Sequence, residues 1–159
     1  MDENKEESEL KPEISGEEKE IRSARGKKSR AAGGRFELKV RTYLEKHQEW
    51  IFTKWLNNVD LEAKKMVKAK RKYNPFSRVM TIGTGFPDFV GFKLISDGIY
   101  EVIGIEVKKN GYLDREEKAK CFFYLENKIF SRIVIAKESE KRGEIDFVDF
   151  KEKYYNKTQ

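Results

Sequence analysis

Three residues have types and spacing that suggest chemistry. Asp88 follows Pro87 at the head of an apolar run, and Glu106 and Lys108 interrupt the run IYEVIGIEVK. In a strand, alternate side chains face opposite sides. Ile103, Ile105 and Val107 therefore share a core face, and Gly104, Glu106 and Lys108 share the other. Ser96-Asp97-Gly98 reads as a tight turn, since glycine tolerates positive φ. Position 97 is midway between 88 and 106, so the hairpin brings Asp88 opposite Glu106. Two facing carboxylates make a site for a hard divalent cation, with the Val107 carbonyl as a further oxygen.

The elements that must position these groups are legible in outline. RVMTIGT, DFVGFKLI, IYEVIGIEVK, SRIVIAK and EIDFVDF read as strands. LDREEKAKCFFYLENK reads as a helix with Asp114 as its N-cap. In RFELKVRTYLEKHQEWIFTKWL, Phe36, Val40, Tyr43 and Leu44 share a helical face. A second helix is expected over Leu61 to Lys72, stopped by Asn74 and Pro75. The expected order is helix, helix, three strands, helix, two strands.

A chain of 159 residues is long enough for one core. It has one cysteine (Cys121) and one histidine (His47), which exclude an internal disulfide framework and argue against structural zinc, so a metal must be held by oxygen. The net charge of +6 favours a polyanionic partner, most simply nucleic acid. Charge is uneven. Residues 1–20 carry nine acids against three lysines, and residues 21–35 carry six bases and no acid. Residues 1–33 are expected to be a charged flexible tail, too poor in apolar groups to offset ordering entropy, with partial helix and the capacity to order on a partner. Between residues 63 and 87 there is no acid but seven bases: Lys64, Lys65, Lys68, Lys70, Arg71, Lys72 and Arg78. That run suits phosphate-backbone contact. No stretch is apolar enough to span a bilayer and the acidic start lacks a signal-peptide core, so no membrane partner and a cytoplasmic location are expected.

Pro87-Asp88 followed by Glu106-Val107-Lys108 resembles the PD-(D/E)XK nuclease superfamily. The stretch from Glu106 to Lys137 resembles the matching part of archaeal Holliday junction resolvases. The spacing of TGFPDF and EVK also suits virus-type replication-repair nucleases. The resemblance covers residues 33 to 138 and implies an α/β, restriction-endonuclease-like domain over 34–159: a mixed central sheet flanked by helices, with 48–77 as a basic helical insertion. It implies that Asp88 and Glu106 ligate Mg²⁺ or Mn²⁺ and that Lys108 orients or activates the attacking water and helps hold the scissile phosphate. Glu37 would be an additional acid, reaching the metal through water or holding a second one. The implied activity is hydrolysis of phosphodiesters in branched DNA by a homodimer, with no small-molecule cofactor. Where many members have a glutamine in the helix after the motif, this chain has Glu117 and Lys118, and Lys118 or Lys120 would touch phosphate instead.

Each residue also has a plainer reading. Asp88 after Pro87 suits turn chemistry, Glu106 and Lys108 a solvated edge pair, and Glu37 the positive end of a helix dipole. The lysine run suits a solvated helix face. A nuclease-like fold that binds DNA without cleaving it is the alternative function. His47 has no motif around it. Trp50, Phe52 and Trp55 read as core or a dimer face, and Cys121 as buried and inert.

Overall fold

The computed structural model describes residues 15–46, 49–74, 78–82 and 85–155. The elements run α1 (Gly16–Glu45), β1 (Ile51–Lys54), β2 (Asn57–Asp60), β3 (Lys65–Lys68), β4 (Arg71–Asn74), β5 (Val79–Ile82), β6 (Phe89–Ser96), β7 (Ile99–Val107), α2 (Arg115–Glu126), β8 (Arg132–Glu138), β9 (Ile145–Asp149) and α3 (Phe150–Tyr154). The chain divides into two units, 1–34 and 35–159. In the first, residues 16–34 are helical and almost wholly exposed. The second contains every strand.

Five strands form a mixed sheet in the order β1-β6-β7-β8-β9. The β7–β8 pair is parallel and the other pairs are antiparallel. A parallel pair needs a long crossover, and α2 supplies it. Its start is fixed by a capping box: the Asp114 side chain accepts from the Glu117 amide, and the Glu117 side chain accepts from the Asp114 amide.

Both faces of the sheet are covered, which explains why β8 reads as an unbroken apolar run. On one face Phe36, Val40 and Leu44 of α1 pack with Phe89, Ile103, Ile105, Val134 and Ala136. On the other, Cys121, Tyr124 and Leu125 of α2 pack with Val90, Phe130, Ile133, Ile135 and Phe150. Tyr124, Phe130 and Phe150 are fully buried. Burying such a side chain contributes about 1.5–3 kcal/mol. The Tyr124 hydroxyl is not orphaned, because it accepts from Trp55 Nε1 at 3.2 Å. At the far end of the β6–β7 hairpin, Leu94, Ile95, Ile99 and Tyr100 are exposed.

Three expectations are corrected. The helix over Leu61–Lys72 does not form. Instead β2 pairs with β3 and β4 with β5 as two separate antiparallel ribbons, so the 48–77 segment is a β insertion rather than a helical one. The run has no apolar stripe at helical spacing, and its middle pairs as β3 with β2, whose Val59, just before the run, is buried in the α2-side core. The first helix stops at Glu45, and Ile51–Lys54, rich in β-branched and aromatic residues, pairs with β6 as an edge strand. Gly33 and Gly34, expected to end the tail, do not interrupt the chain: residues 16–33 are helical, as part of the tail was expected to be, and α1 runs through both glycines. Residues 1–14 and His47 lie outside the described residues.

Candidate functional site

The β6–β7 register pairs Phe89 with Ile105 and Val90 with Gly104. Continued by one residue, it sets Asp88 across from Glu106, the relation expected from the turn. Two features hold the Asp88 end in place. The Trp55 amide donates to the Asp88 carbonyl at 3.1 Å, and the Val107 amide donates to Asp88 Oδ2 at 3.0 Å. The peptide between Phe86 and Pro87 is cis. Pro87 packs against Gly104, where an added Cβ would lie 2.9 Å from Pro87 Cγ and 3.1 Å from Phe130 Cδ2. Glycine at 104 is therefore a packing requirement beside the site.

Glu106 is only 5 % exposed and is the one buried charged residue among the described residues. The solvated-edge reading of Glu106 does not survive that burial. Lys108 lies 3.4 Å from Glu106 Oε1 and makes a close ion pair with Glu117 Oε1. Its backbone amide donates to the Ala136 carbonyl at 2.9 Å, which fixes the strand end. Glu117 thus does two jobs, capping α2 and holding Lys108. The departure from the expected glutamine is therefore a structural partner of Lys108.

Glu37, on α1, pairs closely with Lys54 of β1. The charges of both reach Asp88. Lys54 was not singled out from sequence. Its position depends on β1 pairing with β6, and no local motif announces that. The site thus has a carboxylate pair with a lysine–glutamate pair on each side: Lys108 with Glu117, and Lys54 with Glu37.

The electrostatics follow from crowding acids in a half-dry place. Burial raises the Asp88 pKa from 3.8 to about 6; the Val107 amide opposes the rise, and the Glu37 charge adds to it. Burial also raises Glu106 well above the usual carboxylate range, and the Asp88 charge adds to that. Burial of Lys108 disfavours its charge, yet its hydrogen bond to Glu117 and the charges of Glu106 and Glu117 outweigh this, so its pKa is raised. Lys108 therefore stays protonated. Its chemistry is that of a fixed cation rather than a base.

Among the described residues, no group of three or more His, Cys, Asp or Glu side chains converges as a ready-made ligand cage. A pair of carboxylates is nonetheless the protein share expected for Mg²⁺, which keeps waters and takes substrate phosphate oxygens as its other ligands. The donor set and the raised pKa values fit such a cation: both carboxylates would be relieved by a positive charge between them.

The basic residues fall into three groups. Lys64, Lys65, Lys68 and Lys70 are exposed on the β2–β3 ribbon and its flank, and Arg78 is exposed before β5. Arg71 and Lys72 lie on β4, with side chains outside the described set. Lys118 and Lys120 are engaged within the fold. The first lies over the Tyr154 ring at 4.7 Å, and the second pairs with Glu116 at 2.6 Å with its side chain 11 % exposed. Trp50 stacks on Phe52 at 5.9 Å and Trp55 packs edge-on against Phe130 at 5.3 Å, so all three rings serve the core. Cys121 is fully buried, and burial pushes its thiol pKa up, as expected of an inert cysteine. Among the described residues no helix is long and apolar enough to cross a membrane.

Compared with protein-family models, with curated proteins and with solved structures, the chain matches none.

Proposed function

We propose that this chain is a metal-dependent DNA endonuclease of the PD-(D/E)XK type, acting on branched or otherwise structured DNA in recombination, repair or viral replication. The observation that carries the reading is the Asp88–Glu106 pair. Two carboxylates are held at facing positions with raised pKa values, beside a lysine that stays charged. Asp88, Glu106 and the Val107 carbonyl would hold Mg²⁺ or Mn²⁺. When bound, the cation would neutralise phosphate charge and lower the pKa of an attacking water. Lys108 contributes a fixed positive charge where the pentavalent phosphate accumulates negative charge. Glu117 keeps that ammonium in place. Glu37, paired with Lys54, acts on Asp88 through its charge rather than as a free ligand.

Cutting two strands symmetrically calls for a homodimer, and the exposed apolar tip of the β6–β7 hairpin is a surface on which one could form. A DNA-binding module that does not cleave is the second reading. It is favoured by the engagement of Lys108 with two carboxylates, which leaves its charge partly spent.

The test is a cleavage assay on end-labelled single-stranded, duplex, flapped and four-way-junction DNA with Mg²⁺, Mn²⁺ or EDTA, run beside Asp88→Ala. Metal-dependent cuts that disappear in the variant are expected. Binding without cutting under every metal would select the second reading.

A further inference from the structure

The β2–β3 ribbon is joined to the carboxylate pair at its root. Directly after β1, the Trp55 amide bonds the Asp88 carbonyl at 3.1 Å. One residue on, Leu56 accepts from the Ala69 amide at 2.9 Å, closing the ribbon base. Asn57, the first residue of β2, accepts from the Phe86 amide at 2.9 Å, two residues before Asp88. Gly85 lies so near that an added Cβ would fall 2.1 Å from the Trp55 carbonyl oxygen. Val59 is buried in the α2-side core, so one β2 side chain anchors the ribbon from below.

The turn and much of β3 are exposed and basic. Lys64, Lys65, Lys68 and Lys70 are exposed. Of the two acids nearby, Asp60 is occupied by the turn, accepting from the Glu62 and Ala63 amides at 3.1 and 2.9 Å. Lys64 sits at φ 47, a left-handed conformation that glycine or asparagine adopts more cheaply, yet a base stands there. Two-stranded antiparallel ribbons fit the major groove of a duplex, and lysines on them neutralise phosphates.

From this we infer that the β2–β3 ribbon is a duplex-gripping arm that seats double-helical DNA against the Asp88–Glu106 pair, through phosphate contacts made by Lys64, Lys65, Lys68 and Lys70. The inference rests on the nuclease reading for what happens at the seat, but its own content is binding.

It is therefore tested by binding. Fluorescence anisotropy with a labelled duplex in EDTA, across a salt series, compares three variants with wild type. Changing the four ribbon lysines to glutamine removes up to four phosphate contacts, which lowers the slope of log affinity against log salt by about 3–4. A matched variant with Lys128, Lys141, Arg142 and Lys151, all exposed elsewhere, changed to glutamine leaves the slope near wild type. Lys64→Gly removes one charge while easing the turn, and lowers the slope by about 1. Thermal melts confirm that all three variants fold. An unchanged slope in the ribbon variant, or an equal fall in the matched variant, overturns the arm. Because no metal is present, the outcome is independent of cleavage. A protein that binds through the ribbon but never cuts would refute the nuclease reading alone, and one that cuts with an unchanged slope would refute the arm alone.

Discussion

The backbone amide of Val107 donates to Oδ2 of Asp88 at 3.0 Å. Strand β7 ends here and Asp88 lies one residue before β6, so a side-chain oxygen extends the hydrogen bonding between the two strands. The carboxylate is thus both a structural acceptor and half of a charged pair, and the two roles can be separated. Asp88→Asn retains an acceptor of the same shape and, below the pH at which the Asp88 carboxyl ionises, should melt within a few degrees of wild type. It should lose cleavage by at least about a thousandfold, because a neutral amide neither holds a cation nor balances its charge. Asp88→Ala loses the acceptor as well and should be less stable by about 1–3 kcal/mol, the cost of an orphaned amide. Urea titration beside the cleavage assay distinguishes them.

The raised carboxyl pKa values predict a pH-dependent stability. An acid whose pKa is higher in the folded than in the unfolded state binds its proton more tightly when native. Its stabilising contribution is therefore full below the unfolded value of 3.8 and is lost as pH climbs through about 6. For Asp88 the loss is about 3 kcal/mol, and Glu106 acts in the same direction. In EDTA, wild type should be less stable at pH 7.5 than at pH 4.5, measured relative to Asp88→Asn. Millimolar Mg²⁺ should recover stability at pH 7.5 and do little at pH 4.5, since carboxylates must be deprotonated to bind it. A flat profile in urea unfolding would contradict the burial argument.

Glu117 holds the Lys108 ammonium through Oε1 and accepts from the Asp114 amide at 3.0 Å through Oε2. Glu117→Gln retains an acceptor for the cap and removes the charge that holds the lysine. Stability should fall by about 1 kcal/mol or less, while the cleavage rate falls about tenfold as Lys108 loses its fixed position. Equal losses in Lys108→Met and in the double variant would show that the two act as one unit.

Gly104→Ala tests the packing under Pro87. The methyl group would meet Pro87 and Phe130 closer than van der Waals contact allows. A cost of about 1–3 kcal/mol is expected, together with reduced cleavage, because Pro87 immediately precedes Asp88. Denaturant unfolding should show a lower midpoint with an unchanged slope.

The site was more legible than the segment between its halves. A strand has a rigid two-residue period, so taking Asp97 as the midpoint set Asp88 across from Glu106; the Ser96–Ile99 pair at the turn would by itself have set it across from Val107, and the irregularity between Leu94 and Ser96, which no residue announced, supplies the difference. The cap at Asp114 is equally local. The region from Trp50 to Asn74 was not readable in the same way. Lysine and alanine favour helix one by one, and nothing in LEAKKMVKAKRK shows that Val59 has a buried place waiting for it. The outcome there was decided by tertiary pairing: Leu56 with Ala69, and Asn57 with Phe86. Glu37 and Lys54 likewise meet only because α1 and β1 flank the same sheet end.

Lys54 and Phe89 are paired neighbours in the sheet, yet the chain between them leaves, builds two ribbons and returns. The two ends of this excursion are held side by side by the β1–β6 pairing, and its root is tied down by Trp55, Asn57 and Val59, so the reach beyond that root is free to vary. Lengthening a loop whose ends already meet costs little, since closure entropy grows only with the logarithm of length. The architecture separates a fixed chemistry from an exchangeable reach: the arm could be shortened, extended or replaced by another hairpin, and the carboxylates would still face each other. If the proposed nuclease reading holds, substrate choice would change by substituting one continuous stretch of chain, without altering a residue of the five-stranded sheet.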